Sequence, residues 1–188
     1  MGTIKTTNIE TITGSGTLTL GQSGETISVP SGATLDLSSA TQTGVGGVNT
    51  PMFFLNKTDS QSVSNNTNTK ITFNSELIDT DSAVSSSTFT VPSGQAGKYF
   101  FVFTVTCDQG VDTFFLSPFL YKNGSSYARN LMRFPGAVDL TAIVSAIIDL
   151  SVDDTVEAYV RQNTGGSINI SGETAEKRTT FTGYKLIT

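Results

Sequence analysis

The chain has 188 residues and a formal net charge of −5, and only 14% of it is charged, against roughly 25% in an ordinary soluble domain. It holds no histidine, so the commonest general base and the commonest metal ligand are both missing. The acidic balance argues against binding a phosphate backbone, so no nucleic-acid partner is expected, and the single cysteine excludes an intrachain disulfide framework.

Residues 1–13 are rich in Thr and Ile and carry no apolar signal-peptide core. Ile4, Ile9 and Ile12 suit a segment that docks on another protein. No window reaches the roughly 20 apolar residues of a membrane span, so no membrane insertion is expected.

Residues 14–50 repeat short apolar pairs: Leu18 and Leu20, Ile27 and Val29, Leu35 and Leu37. Turn chemistry separates them, at Gly21-Gln22-Ser23-Gly24 and Pro30-Ser31-Gly32. One copy of such a segment has too little apolar surface for a core, and stacked repeats need neighbours. Three copies wound about one axis would make a thin β stem; a disordered Gly/Ser/Thr linker is the alternative. Thr43 to Val48 reads as a hinge.

Residues 51–188 read as one all-β domain of about ten short strands. Predicted strands are Met52–Leu55, Lys70–Phe73, Ser87–Val91, Gly97–Cys107, Thr113–Lys122, Ser126–Phe134, Thr141–Leu150, Thr155–Gln162 and Thr179–Ile187, with brief pairing near Val63 and at Ser167–Ile170. Asn123-Gly124 is a strong hairpin signal. Pro118 suggests an edge or a bulge. Cys107 reads as a small buried hydrophobe at a strand end.

The Gly97–Cys107 run carries four aromatic residues within five positions. A strand wetted on one face alternates apolar and polar residues; this one begins apolar on both. One face suits a sandwich core, and the other needs a cover, for which a second copy is the simplest candidate. Thr141–Leu150 has the same double-faced character.

The available carboxylates include Asp79, Asp81, Asp108, Asp112, Asp139, Asp149, Asp153 and Asp154, placed by the sequence mostly at turns. No catalytic residue, enzyme activity or cofactor is expected. Asp108 and Asp112 are the best local cluster for a hard cation, without a compact ligand loop. Tyr127, Arg129 and Arg133 fall at even spacing on one strand, and aromatic and guanidinium groups suit surface recognition.

Several of these pieces resemble the globular C1q domain of the C1q/TNF-like jelly-roll superfamily: Lys70-Ile71-Thr72-Phe73, Phe89-Thr90-Val91-Pro92, Gly97-Lys98-Tyr99-Phe100-Phe101, Leu120-Tyr121-Lys122-Asn123-Gly124, Leu150 to Val156, and Phe181-Thr182-Gly183-Tyr184. Asp153 stands where the family has a glycine. The resemblance implies a ten-stranded antiparallel jelly-roll sandwich and a homotrimer. The residues expected at its three-fold interface are Tyr99, Phe101, Phe103, Ile143, Ile147 and Tyr159. The Ser-Gly-Glu-Thr-Ile-Ser-Val-Pro-Ser-Gly repeats are similar to stems of bacteriophage fibre proteins. Together these imply a virion-surface fibre or spike: residues 1–13 bind other virion proteins, 14–50 form the stem, and 51–188 form a knob for a host-surface glycan or receptor. A capsid decoration protein and a secreted bacterial C1q-like lectin are the alternatives.

Overall fold

The computed structural model describes residues 23, 25–35, 49–108, 114–134 and 140–186. The chain divides into two compact units, Met1–Val45 and Gly46–Thr188. In the first, Ile27 to Val29 forms no strand in the single chain, and Ile27, Val29 and Leu35 are exposed. Pro30-Ser31-Gly32-Ala33 does turn: Ala33 N–H bonds the Pro30 carbonyl at 3.1 Å, and Gly32 sits at φ 83°. Leu18, Leu20 and Leu37 of the repeat lie outside the described residues.

The second unit holds fourteen strands among the described residues, and no helix. The first sheet contains β1 (Met52–Asn56), β2 (Gln61–Val63), β4 (Ser75–Asp79), β7 (Gly97–Cys107), β11 (Leu140–Leu150), β13 (Ile168–Ile170) and β14 (Thr180–Lys185). Its main run of neighbours is β11-β7-β14-β1-β4, all antiparallel. The second sheet contains β3 (Thr69–Lys70), β5 (Val84–Ser85), β6 (Thr88–Thr90), β8 (Phe114–Lys122), β9 (Ser125–Arg129), β10 (Met132–Phe134) and β12 (Thr155–Gln162). Two antiparallel sheets packed face to face make the expected jelly-roll-like sandwich.

Aromatic rings fill the space between the sheets. Tyr99, Phe101, Phe103 and Val105 of β7 are fully enclosed, as are Phe53, Phe89 and Phe181. Phe53 stacks on Phe89 across the gap at 5.2 Å and meets Phe181 edge-on at 4.9 Å. Each such ring contributes its buried area and a further ~0.5–1.5 kcal/mol from the ring contact. Gly183 of β14 lies beneath this cluster: a Cβ there would stand 2.4 Å from the Phe101 ring and 2.8 Å from Phe53. The Phe-x-Gly at the end of the chain is therefore a packing device.

Three local expectations are corrected. The strand expected over Lys70–Phe73 shrinks to Thr69–Lys70. Beyond Ile71, side chains replace the ladder: Thr72 N–H donates to Gln61 Oε1, and Phe73 N–H to Ser87 Oγ. The strand expected over Ser126–Phe134 breaks into β9 and β10, both paired to β8. Pro118 lies opposite that break, in a strand flanked on both sides, so it marks an irregularity and not an edge. Finally, Asp79 and Asp149 are strand residues, not turn residues. Asp79 accepts the backbone N–H groups of Ala83 and Val84 at 2.9 Å, while Asp149 pairs with Lys98 at 3.0 Å.

Asp153 takes the left-handed conformation at φ 66°. A glycine would enter this region without cost; Asp is among the few other residues that tolerate it. The turn therefore survives the replacement of the family's glycine.

Candidate recognition surfaces

Strand alternation gives the first sheet a second, outward face. Cross-strand register places Ile147, Phe100, Tyr184 and Met52 in one row over four strands. The next row reads Ser145, Val102, Thr182, Phe54 and Ile78. Phe100 and Tyr184 meet edge to face at 5.8 Å. At the β11 margin Ile143 and Ile147 are 48% and 57% exposed. An apolar band thus crosses this face and ends on two uncovered isoleucines.

The expected interface set divides on this geometry. Ile143 and Ile147 lie on the outward face. Tyr99, Phe101 and Phe103 do not: each is fully buried within its own chain and faces the second sheet. They are corrected to core residues, because a side chain closed off by its own fold has no surface left for a second copy. The apolar residues on the other side of β7 are Phe100 and Val102. Tyr159 is half-buried on the outward face of the second sheet, where its ring stacks on Tyr121 at 4.0 Å. Ile143 and Ile147 lie on the other sheet, at the margin where Asn130 Nδ2 donates to the Ile143 carbonyl at 2.9 Å, whereas Tyr159 sits on β12, beyond β8.

One end of the first sheet's outward face is bordered by residues 171–179, which link β13 to β14. Ser171 N–H bonds the Thr106 carbonyl at 2.7 Å, and the Thr106 hydroxyl reaches the Arg178 carbonyl at 2.9 Å. An open cavity of about 360 Å³ remains there, lined by Thr104, Thr106, Thr141, Lys177 and Arg178. Arg178 is paired to Glu176 at 2.8 Å and lies 3.8 Å from Asp108. Asp108 is thus turned toward a guanidinium, and Asp112 lies outside the described residues. Among the described residues no group of three or more His, Cys, Asp or Glu is placed to hold a metal ion.

The second sheet's outward face is built differently. Arg129 lies across from Phe119, Arg133 across from Phe115, and Arg161 across from Ser117. Tyr159 pairs with Phe119 on one side and Lys70 on the other. Burial, then the nearby Glu157 carboxylate and Tyr121, push the Tyr159 hydroxyl above its usual range. Tyr127 is 53% exposed; it sits where the β8–β9 register shifts, so it shares the β9 strand but no row with Arg129. Arg129 and Arg133, expected on one strand, lie on β9 and β10 and share this face four β8 positions apart. Arg161, Phe115, Phe119 and Tyr121, which sequence spacing did not single out, come onto the same face through pairing with β8.

A family model for the C1q domain matches residues 52–186. The chain belongs to the C1q family. The C1q match spans the whole sandwich of the second unit, from β1 to the residue after β14. The globular domain of zebrafish complement 1qA is similar at 18% identity with a TM-score of 0.50, over 72% of this chain and 97% of that one. Murine APRIL gives 14% identity and a TM-score of 0.54, over 72% and 99%. Eiger TNF from S. frugiperda gives 12% and 0.51, over 72% and 91%. At these identities the likeness shows the shared fold. No curated protein sequence matches the chain.

Proposed function

We propose that this C1q domain is a homotrimeric recognition head that works by binding and not by catalysis. The observation that carries the reading is the apolar band on the first sheet's outward face, ending at Ile143 and Ile147. Isolated apolar residues on a surface are ordinary, but a contiguous band over several strands marks an association surface. A second copy of the chain supplies the matching apolar surface. Three copies around one axis would close it, as the C1q/TNF resemblance implies, leaving the second sheet facing outward.

The wider setting we infer is a virion fibre or spike, with residues 1–13 docked on other virion proteins. Its support is the Ser/Gly/Thr repeat of residues 14–50 and the exposed Ile27, Val29 and Leu35, whose apolar side chains find a cover when three chains wind together. Three heads on one stem would turn weak contacts with a host-surface glycan or receptor into firm attachment through effective concentration.

The test is the solution mass of the full chain by light scattering, beside the Ile143→Asp/Ile147→Asp variant. The wild-type chain should have three times the monomer mass. The variant should fall to a monomer with an unchanged circular dichroism spectrum. A monomeric wild-type chain would remove the three-fold reading. Particles made without the chain should lose adsorption to host cells; unchanged adsorption would remove the fibre reading.

A further inference from the structure

The outward face of the second sheet carries a charge pattern opposite to that of the whole chain. The protein has 16 acidic and 11 basic residues. Yet β8, β9 and β10 contain no Asp or Glu, and β12 contains only Glu157. That carboxylate is already held by Lys70 at 2.6 Å. Along the same face, Arg129, Arg133 and Arg161 lie opposite Phe119, Phe115 and Ser117 of β8. Among the described residues, no carboxylate lies within ion-pair reach of any of the three. Arg161 has one hydrogen bond, from Nη2 to Asn66 Oδ1 at 3.3 Å, and its Nε has no partner.

The three guanidinium groups do not converge on one point. Their partners on β8 are Phe115, Ser117 and Phe119, so they are staggered along the strand in steps of about 7 Å. A single small anion would reach one of them; an extended chain with spaced negative groups would reach all. Guanidinium forks bind carboxylate and sulfate oxygens in pairs. Beside them lies the Tyr121–Tyr159 stack, its planes 23° apart. The Tyr121 hydroxyl is tied to Asn68 at 2.7 Å. The Tyr159 hydroxyl has no partner among the described residues. Such a pair offers an apolar ring and a hydroxyl side by side, which is what a sugar needs.

We propose that this face binds an acidic polysaccharide, with Arg129, Arg133 and Arg161 pairing its carboxylate or sulfate groups and Tyr159 contacting the sugar between them. The assignment rests on the recognition role above and supplies its ligand class. The net charge of −5 opposes every dense polyanion at long range, so the choice of a polysaccharide over a nucleic acid rests on the tyrosine pair: a base stacks on an open ring face, and Tyr121 and Tyr159 each have one face covered by the other.

The experiment uses the full chain, with alginate, dextran sulfate, uncharged dextran and single-stranded oligothymidylate as probes in a titration at low and physiological salt. Binding to alginate or dextran sulfate is expected, weakening as salt rises, with none to dextran; the preferred probe tells carboxylate from sulfate. The R129Q/R133Q variant should lose at least tenfold in affinity, with its light-scattering mass and melting temperature unchanged. The Lys177→Gln variant, altered in the segment between β13 and β14 of the other sheet, should bind as wild type. Equal affinity for dextran, tighter binding to oligothymidylate, or an equal loss in Lys177→Gln would overturn the assignment. So would no binding to either acidic polymer. If that result came with a trimeric mass and with adsorption to host cells intact, the recognition role would stand and this ligand class alone would fall.

Discussion

The side-chain amide of Asn123 donates to the Asp154 carboxylate at 2.7 Å, across 31 positions of sequence. Asn123 also accepts the Thr155 N–H at 2.8 Å, and Asp154 accepts the Ser151 N–H at 2.9 Å. Two turns at one end of the second sheet, Asn123-Gly124 and Val152-Asp153, are thereby tied together. Lys122 adds an ion pair to Asp154 at 2.9 Å. The Asn123 hydrogen bond first, then Lys122 and the Ser151 amide, pull the Asp154 carboxyl down to about 2 from its ordinary 3.8.

A carboxyl depressed in the folded state stabilises the fold above its unfolded value and loses that contribution as pH falls through the folded one. The Asp154 contribution should therefore be complete above about pH 4 and fade toward pH 2. The Asn123→Ala variant is expected to lose about 1–3 kcal/mol near neutral pH. In urea unfolding its deficit should shrink between pH 5 and pH 2. A deficit that stays constant over that range would show that the Asp154 contact is not its source.

Gly183→Ala is expected to destabilise the domain by about 1–3 kcal/mol, because the added methyl must displace the rings of Phe101 and Phe53. Thermal unfolding should show a lower midpoint. The paired Phe101→Leu/Gly183→Ala chain should recover part of the loss, since it frees space at the same point. An additive result would place the strain elsewhere.

Phe101 and Ile147 belong to opposite faces of the sandwich, and their substitution should fail in different ways. Phe101→Ala removes a ring buried in its own chain and is expected to cost about 3–5 kcal/mol in denaturant unfolding. Ile147→Ala, at an exposed position, should leave chemical stability at high dilution nearly unchanged while weakening self-association. Equal effects of both on the unfolding midpoint at high dilution would contradict the assignment of the two faces.

Lys57 is buried at 1% exposure, with its ammonium bonded to Asp59 at 3.0 Å and the Thr72 carbonyl at 2.9 Å. The Lys57 hydrogen bond holds the Asp59 carboxyl below its usual range. Asp59→Asn leaves a buried ammonium with a carbonyl as its main partner, so a lower melting temperature is expected. Lys57→Met removes the charge and fills the same space, and should melt above Asp59→Asn. The reverse order would mean that the ammonium, not the pair, holds the Thr72 segment in place.

The strand β7 was legible at both ends. Gly97 and Cys107 bound a run too apolar to be anything but a central strand, and turn residues flank it. Its faces were not legible. Both begin apolar, so alternation separates the residues into two sets without saying which set meets the partner sheet. The edge strand β4 was missed altogether. Ser75 to Asp79 is mostly polar, and a shift in register against β1 at Phe54/Leu55 breaks its alternation. β5, at two residues, is too short to carry a period.

What the sequence by itself determined was the all-β class, the hairpin at Asn123-Gly124, most of the central strands and the C1q resemblance. All of these rest on local signals: period-two alternation, turn chemistry, and motifs a few residues long. The tertiary structure alone decided that Tyr99, Phe101 and Phe103 face inward, that Phe100 and Val102 continue the band of Ile143 and Ile147, and that Arg161 joins Arg129 and Arg133. Those facts depend on cross-strand register between segments far apart in the chain. A one-residue slip in register sends every side chain to the other face, and no local pattern in this chain encodes that choice.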